Sequence, residues 1–364
     1  MRQSILLTCG ILAVLLESPF ALAADKKLIE FGWDEPDTQF LRDYIAEMEK
    51  TPFDGCVFHA QYTRPNGKRG DFMWECWGKQ AFTEEQLQPA LEELKATHFQ
   101  KWTENFLRFN TAPANLDWFD DFSAILVNAR LAARIAREGK CKGLLFDIEQ
   151  YTFPLFKYRK QKDAATKSWD EYAAQVRKRG GEVMQAFQAE YPSLTVFLTF
   201  GYSLPWVQCG KDKAKLADAD YGMLAPFLDG MVEAAADKVR FVDGHELSYG
   251  YKEPKQFTTA YRMMKQDLLP IVANPEKYKR CFSLGFGIWM DNAHRKVGWS
   301  TNDFSRNYFS PQTFVKSANA AVQIADEYVW VYTELPRWWS KEGATQNLPK
   351  DYFEALWRAR SAAK

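Results

Sequence analysis

This sequence has no excess of charge of either sign. Its 47 Lys+Arg balance 47 Asp+Glu over 364 residues, which disfavours nucleic acid or an anionic membrane surface as a partner. Histidine is sparse, and His59, His98, His245 and His294 fall in neither H-x-H nor H-E-x-x-H spacing. No D-x-D-x-D-G loop occurs either, so the expectation is a site without metal or cofactor. A G-x-S-x-G turn is missing, as is a glycine-rich phosphate loop after the first strand-like run. These gaps argue against a serine hydrolase and against a doubly wound nucleotide-binding sheet.

Long apolar runs are scarce too. The run from Ile5 to Leu16 follows Arg2, is too short to span a bilayer, and leads to Ala21-Leu22-Ala23, small residues suited to a signal peptidase. Residues 1–23 therefore read as a cleaved secretory signal and 24–364 as one catalytic domain, secreted or periplasmic, with no membrane span. Oligomeric state is left open. Without Cys9 five cysteines remain, an odd number with no C-x-x-C pair, so at least one thiol is unpaired. Cys56 and Cys281 lie in strand-like runs and read as small buried hydrophobes. Cys76 and Cys209, in loop-like segments, are the candidates for a disulfide.

Aromatic residues are what the chain has in plenty: 27 Phe, 16 Tyr and 13 Trp, 15% of the sequence, more than a core alone needs. Short apolar runs alternate with longer segments of helical period, the pattern of parallel β/α architecture. Strands are expected at Leu28 to Trp33, Gly55 to His59, Asn105 to Asn110, Gly143 to Glu149, Leu194 to Phe200, Arg240 to Glu246, Cys281 to Trp289 and Tyr328 to Glu334. Thr83 with Gln86 and Ser168 with Glu171 form capping-box patterns, Ser310-Pro311 starts a further helix, and Phe122 to Ala136 carries one apolar face. Helices are also expected near Asp37 to Lys50, Tyr221 to Ala235, Glu253 to Leu269 and from Pro349 onward. Eight strands each followed by a helix predict an α/β fold, a single (β/α)8 TIM barrel, with an open doubly wound sheet as the alternative.

In such a barrel the strand C-termini converge on one rim, where active sites form. Asp147 and Glu149 end the fourth strand two residues apart, hence on one face, and burial there would raise the pKa of at least one, as a general acid requires. A salt bridge to Arg108 is the structural alternative. Glu246 and Glu334 end the sixth and eighth strands, and Asp34 with Glu35 follows the first. Binding residues are expected at Trp33, Asp34, His59, Arg108, Asn110, Tyr202, Trp206, His245, Trp289, Asp291, Tyr332 and Trp338. Trp33, Trp74, Trp77, Trp206, Trp289, Trp338 and Trp339 would form an aromatic platform for sugar faces.

The segment Gly143-Leu-Leu-Phe-Asp147-Ile-Glu149 resembles the fourth-strand motif D-G-x-D-x-D-x-E of the family 18, chitinase-like glycoside hydrolases. Gly143, Asp147 and Glu149 match, while Lys142 and Leu145 replace the first two aspartates. The resemblance implies a barrel with Glu149 as the acid that protonates the glycosidic oxygen. In that family the position of Asp147 orients an acetamido nucleophile, a route that Leu145 puts in doubt. A two-carboxylate mechanism is the other possibility, with Asp147, Glu246 or Glu334 as nucleophile, base or orienting group. The expected function is cleavage of a poly- or oligosaccharide, with a non-catalytic carbohydrate-binding barrel as the rival.

Overall fold

A computed structural model of the chain describes residues 25–342 and 344–361; the expected signal segment lies outside them. The barrel strands are β1 Lys27–Glu30, β2 Gly55–Phe58, β3 Phe106–Asn110, β4 Gly143–Asp147, β5 Thr195–Leu198 and β6 Arg240–Asp243, then β7 in two pieces, Phe282–Leu284 and Phe286–Trp289, and β8 Tyr328–Tyr332. All pair in parallel in chain order, and β8 pairs with β1. The first piece of β7 pairs with β6 and the second with β8, with Gly285 alone between them. The (β/α)8 barrel predicted from the alternation is therefore the fold, and each of the eight expected strands is present, most of them shorter at the C-terminal end.

The helices follow from their own start signals. Helix α1, Thr38–Met48, is capped by Asp37. Helices α2, Glu84–Ala96, and α4, Trp169–Glu190, carry the Thr83/Gln86 and Ser168/Glu171 capping boxes, each satisfying two otherwise unpaired backbone donors. Between them α3, Ser123–Glu138, buries its alanine-rich face. Helices α5, Ser203–Gln208, and α6, Leu224–Ala234, follow β5, and α7, Pro254–Arg262, and α8, Pro275–Cys281, follow β6. After β7 come the short α9, His294–Val297, and α10, Pro311–Ile324, capped by Ser310; α11, Lys350–Ser361, ends the described chain.

Side chains alternate between two cores, as the strand period demands. Ile29, Phe31, Val57, Phe106, Leu145, Phe197, Val242, Tyr328 and Trp330 fill the barrel axis, and the opposite faces pack under the helices. Aromatic rings do much of the axial filling: Phe106 lies 5.3 Å from Phe197 and 5.9 Å from Tyr328, centroid to centroid. Gly143 is required by a close strand approach, since a Cβ there would sit 1.8 Å from the Thr195 carbonyl oxygen. Its match to the family 18 motif thus has a packing cause. Leu145, where that motif has an aspartate, faces the apolar axis.

Cys56, Cys76, Cys141, Cys209 and Cys281 are all free and buried, so the candidate Cys76 to Cys209 disulfide does not form. Their sulfurs bond instead to local carbonyls, Cys76 to Met73 and Asn110 and Cys209 to Trp206. Cys281 ends α8 and does not lie in a strand. Among the described residues no helix is long and apolar enough to cross a membrane.

Candidate active site at the strand C-termini

A cavity of about 620 Å³ opens at the C-terminal rim. Its floor holds Glu149 and Glu246, supplied by the loops after β4 and β6. The two carboxyl groups lie close enough for each to perturb the other, and together they favour holding one proton. Burial and then the nearby Asp147 charge push Glu149 up to about 7. Burial and the charge of Glu149 push Glu246 well above the usual carboxylate range. The proton belongs to the pair.

Asp147 is not a member of that pair. It is fully buried beneath the cavity, where it accepts from Arg108 Nη2 at 2.6 Å and from the Tyr151 hydroxyl at 2.9 Å. Asp147 makes the salt bridge to Arg108 that its structural alternative named, and its charge also raises Glu149, as the pairing at the strand end predicted; a second acid, Glu246, adds to the group from across the barrel. Arg108 also donates from Nε to Asn110 and from Nη1 to Glu35 at 2.8 Å, and lies over the rings of Phe31 and Trp74. Burial works against its charge, yet Glu35 and Asp147 together hold its pKa well above normal. Burial likewise disfavours ionised Glu35 and protonated His59, but Arg108 and His59 lower Glu35 overall, and Glu35 raises His59 overall.

On the opposite wall Glu334 accepts from Arg295 Nη2 with both oxygens at 2.9 Å, and His294 Nε2 lies 3.2 Å away. Tyr332 donates to Glu334 and accepts from Trp33 Nε1. Trp289 stands over this group and is fixed by its own bond to Asp291, whose carboxylate also ties down the backbone N–H groups of Glu334 and Leu335. Asp291 therefore positions the wall without reaching the cavity. Trp33, at 56% the most exposed large apolar side chain described, offers a free ring face.

Several expected binding residues lie elsewhere. Asn110 is buried behind Arg108. Tyr202 bonds to Asp229 and packs on Tyr278 in the helix layer. Trp206 is buried in α5. His245, in a left-handed conformation (φ 43°), turns its ring to Ser203, and burial keeps it neutral with its pKa lowered to about 3. Trp338 packs edge-on against Phe53, Trp339 lies 5.6 Å from Trp102, and Trp77 is ringed by Phe109, Phe122, Phe146 and Phe227. Only Trp33, Trp74 and Trp289 of the seven line the cavity. Asp34 faces away as well: it pairs with Glu30 in a second, sealed carboxyl pair, and accepts from the backbone N–H of Trp338 at 2.7 Å. Burial raises both members of that pair.

The residues missed were Phe31, Met73, Tyr151, Tyr249 and Arg295. Two of them carried a signal, since Tyr151 lies two residues after Glu149 and Tyr249 three after Glu246. Among the described residues no group of three or more His, Cys, Asp or Glu side chains is placed to hold a metal ion.

No protein-family model and no curated protein matches the chain. Among solved structures it is similar to a hyperthermophilic endocellulase from Pyrococcus horikoshii, at 11% identity over 93% of each chain and a TM-score of 0.46. It is also similar to GH5_18 from Streptomyces cattleya in complex with GlcNAc, at 8% identity, 93% of this chain, 81% of that one and a TM-score of 0.45. A third is an exo-beta-1,4-mannosidase from Opitutaceae bacterium strain TAV5, at 11% identity, 93% of this chain, 60% of that one and a TM-score of 0.46. Likenesses this distant transfer no activity.

Proposed function

We propose that this protein is a glycoside hydrolase that cleaves a poly- or oligosaccharide with Glu149 as general acid and Glu246 as its partner. The observation that carries the reading is the carboxyl pair sharing a proton on the floor of an aromatic-walled cavity. One proton for two carboxyls leaves an acid and a base in contact, the complement that glycosidic cleavage uses. As the sugar parts the pair, the shared proton passes from Glu246 to Glu149, which gives it to the leaving oxygen as the C–O bond breaks, and the Glu246 carboxylate so formed attacks the anomeric carbon. The resulting glycosyl ester is then hydrolysed by a water that Glu149 deprotonates.

Trp33, Trp74 and Trp289 supply flat apolar faces for the sugar, and Glu35, Glu334 and His59 supply hydroxyl partners. Binding of a sugar parts the two carboxyls and takes up their lost hydrogen bond. Incubating the protein with a panel of polysaccharides and assaying new reducing ends tests the reading. Cleavage with retained anomeric configuration is expected, whereas binding without cleavage on every bound glycan would replace it with the non-catalytic barrel.

Export belongs to the same proposal, on the strength of Arg2, the short apolar run and Ala21-Leu22-Ala23. N-terminal sequencing of the protein from its native cells is expected to find Ala24 first; an uncut chain would overturn the export reading and leave the enzymatic one standing.

A further inference from the structure

A second cavity, about 380 Å³, lies beside the first, and Tyr151 borders both. It begins at the residues that directly follow the proposed acid: Gln150, Tyr151, Thr152 and Phe153 form one side, and Gln208 and Tyr221 the other. The Tyr151 hydroxyl is anchored in the first cavity through Asp147 and Arg108, while its ring, 4.9 Å from Trp74, is exposed. The ring is thus a fixed partition with a face on each side. The backbone beneath the groove is equally held, since Gln150 donates from its N–H to the Tyr221 hydroxyl and accepts from Phe156, and Gln208 accepts from the N–H of Tyr221. Lys157 is neutralised by Asp220 at 2.6 Å.

We infer that this groove binds the leaving-group side of the glycan chain, so that the substrate is an oligosaccharide lying across Tyr151 and not a terminal sugar alone. The inference rests on the proposed acid role of Glu149. A general acid stands beside the oxygen that departs, and the groove starts one residue beyond Glu149, on the side away from Glu334 and Trp289. The chemistry of its walls, aromatic faces at Tyr151, Phe153 and Tyr221 among amide and hydroxyl groups with the exposed Lys160 at the edge, is that of a sugar site with one cation beside it. Its size is that of one or two pyranose rings.

The test compares an oligosaccharide with an aryl glycoside of the same glycone, whose leaving group is a single ring. Phe153→Ala is expected to lower the ratio of kcat/KM for the long substrate to that for the short one by about tenfold. Gln208→Ala, at an exposed position whose side chain accepts from the Tyr221 N–H, is expected to lower it by roughly threefold. A ratio unchanged in both variants would overturn the groove assignment while leaving the hydrolase reading intact. If no glycoside is cleaved by the wild type, the hydrolase reading fails, and affinity as a function of chain length then decides the groove. A gain on lengthening the chain that Phe153→Ala abolishes would support it, and no gain would refute it.

Discussion

Two carboxyl pairs sit at strand ends in this barrel, one open and one sealed. Glu149 and Glu246 face the cavity; Glu30 and Asp34 are enclosed behind β1, with Asp34 bonded to the backbone N–H of Trp338. In both, burial raises the acids and each carboxyl perturbs its neighbour. Chemistry alone does not separate them. Access does: the open pair can pass its proton to a bound glycan, while the sealed pair can only tie Asp34 to the loop that carries Trp338. A perturbed acid is thus evidence of catalysis only where a substrate can reach it.

The sharpest break in this comparison would come at Arg108, which keeps Asp147 from joining the open pair. Arg108→Ala leaves Glu35 and Asp147 buried without their cation, and unfolding in denaturant is expected to show a loss of about 3–5 kcal/mol. Next comes the open pair itself. Glu149→Gln retains shape but not the transferable proton, so turnover should fall by roughly 10²-fold or more with glycan binding preserved. An active variant on a substrate with a poor leaving group would move the acid role to Glu246.

The pH dependence is the third test. Glu149 is raised to about 7 and Glu246 is held higher still by burial and Glu149, so both are protonated at low pH and kcat/KM should rise toward pH 7, approaching tenfold per unit below it, as the pair loses its first proton and gains its base. A profile flat below pH 7 would contradict the assignment. For the sealed pair the expectation concerns stability. A carboxyl whose folded pKa exceeds its unfolded value is held protonated in the fold while the unfolded chain ionises, so its cost accrues as pH rises from the unfolded value to the folded one. Glu30→Gln removes that cost and lets its amide donate to ionised Asp34. Relative to wild type it should gain about 1–2 kcal/mol at pH 8 and little at pH 4, with turnover near normal. The smallest effect is expected at Trp206, where Trp206→Phe should leave glycan affinity within roughly twofold.

How much of this could be read beforehand differs between the strands and their ends. The barrel was legible because β-branched and aromatic runs alternate with capped helices, and Thr83/Gln86, Ser168/Glu171 and Ser310-Pro311 mark helix starts as the structure has them. Glu149 was legible as a rim acid because it extends the period of Leu145 and Asp147. The partner was harder to assign, since Asp147, Glu246 and Glu334 all end strands and only geometry separates contact from proximity. Tryptophans at strand ends misled for a related reason. Trp33 and Trp338 both follow barrel strands, but one faces the cavity and the other Phe53, and past the last ladder bond the strand period no longer dictates direction. His245 shows the same limit, since its positive φ turns the chain away from the strand's course.

The exposed ring of Trp33 has a use of its own. Its indole N–H is bound to Tyr332 and its face lies open, with Arg295 nearby, whereas Trp77, Trp118, Trp330 and Trp338 are enclosed in apolar surroundings. Water quenches and red-shifts exposed fluorophores, Trp33 most and Trp357 after it, so a ligand settling on Trp33 blue-shifts part of the long-wavelength edge of the protein's emission and leaves the buried contribution as an internal standard. The molecule carries its own optical gauge of occupancy, readable without label or turnover.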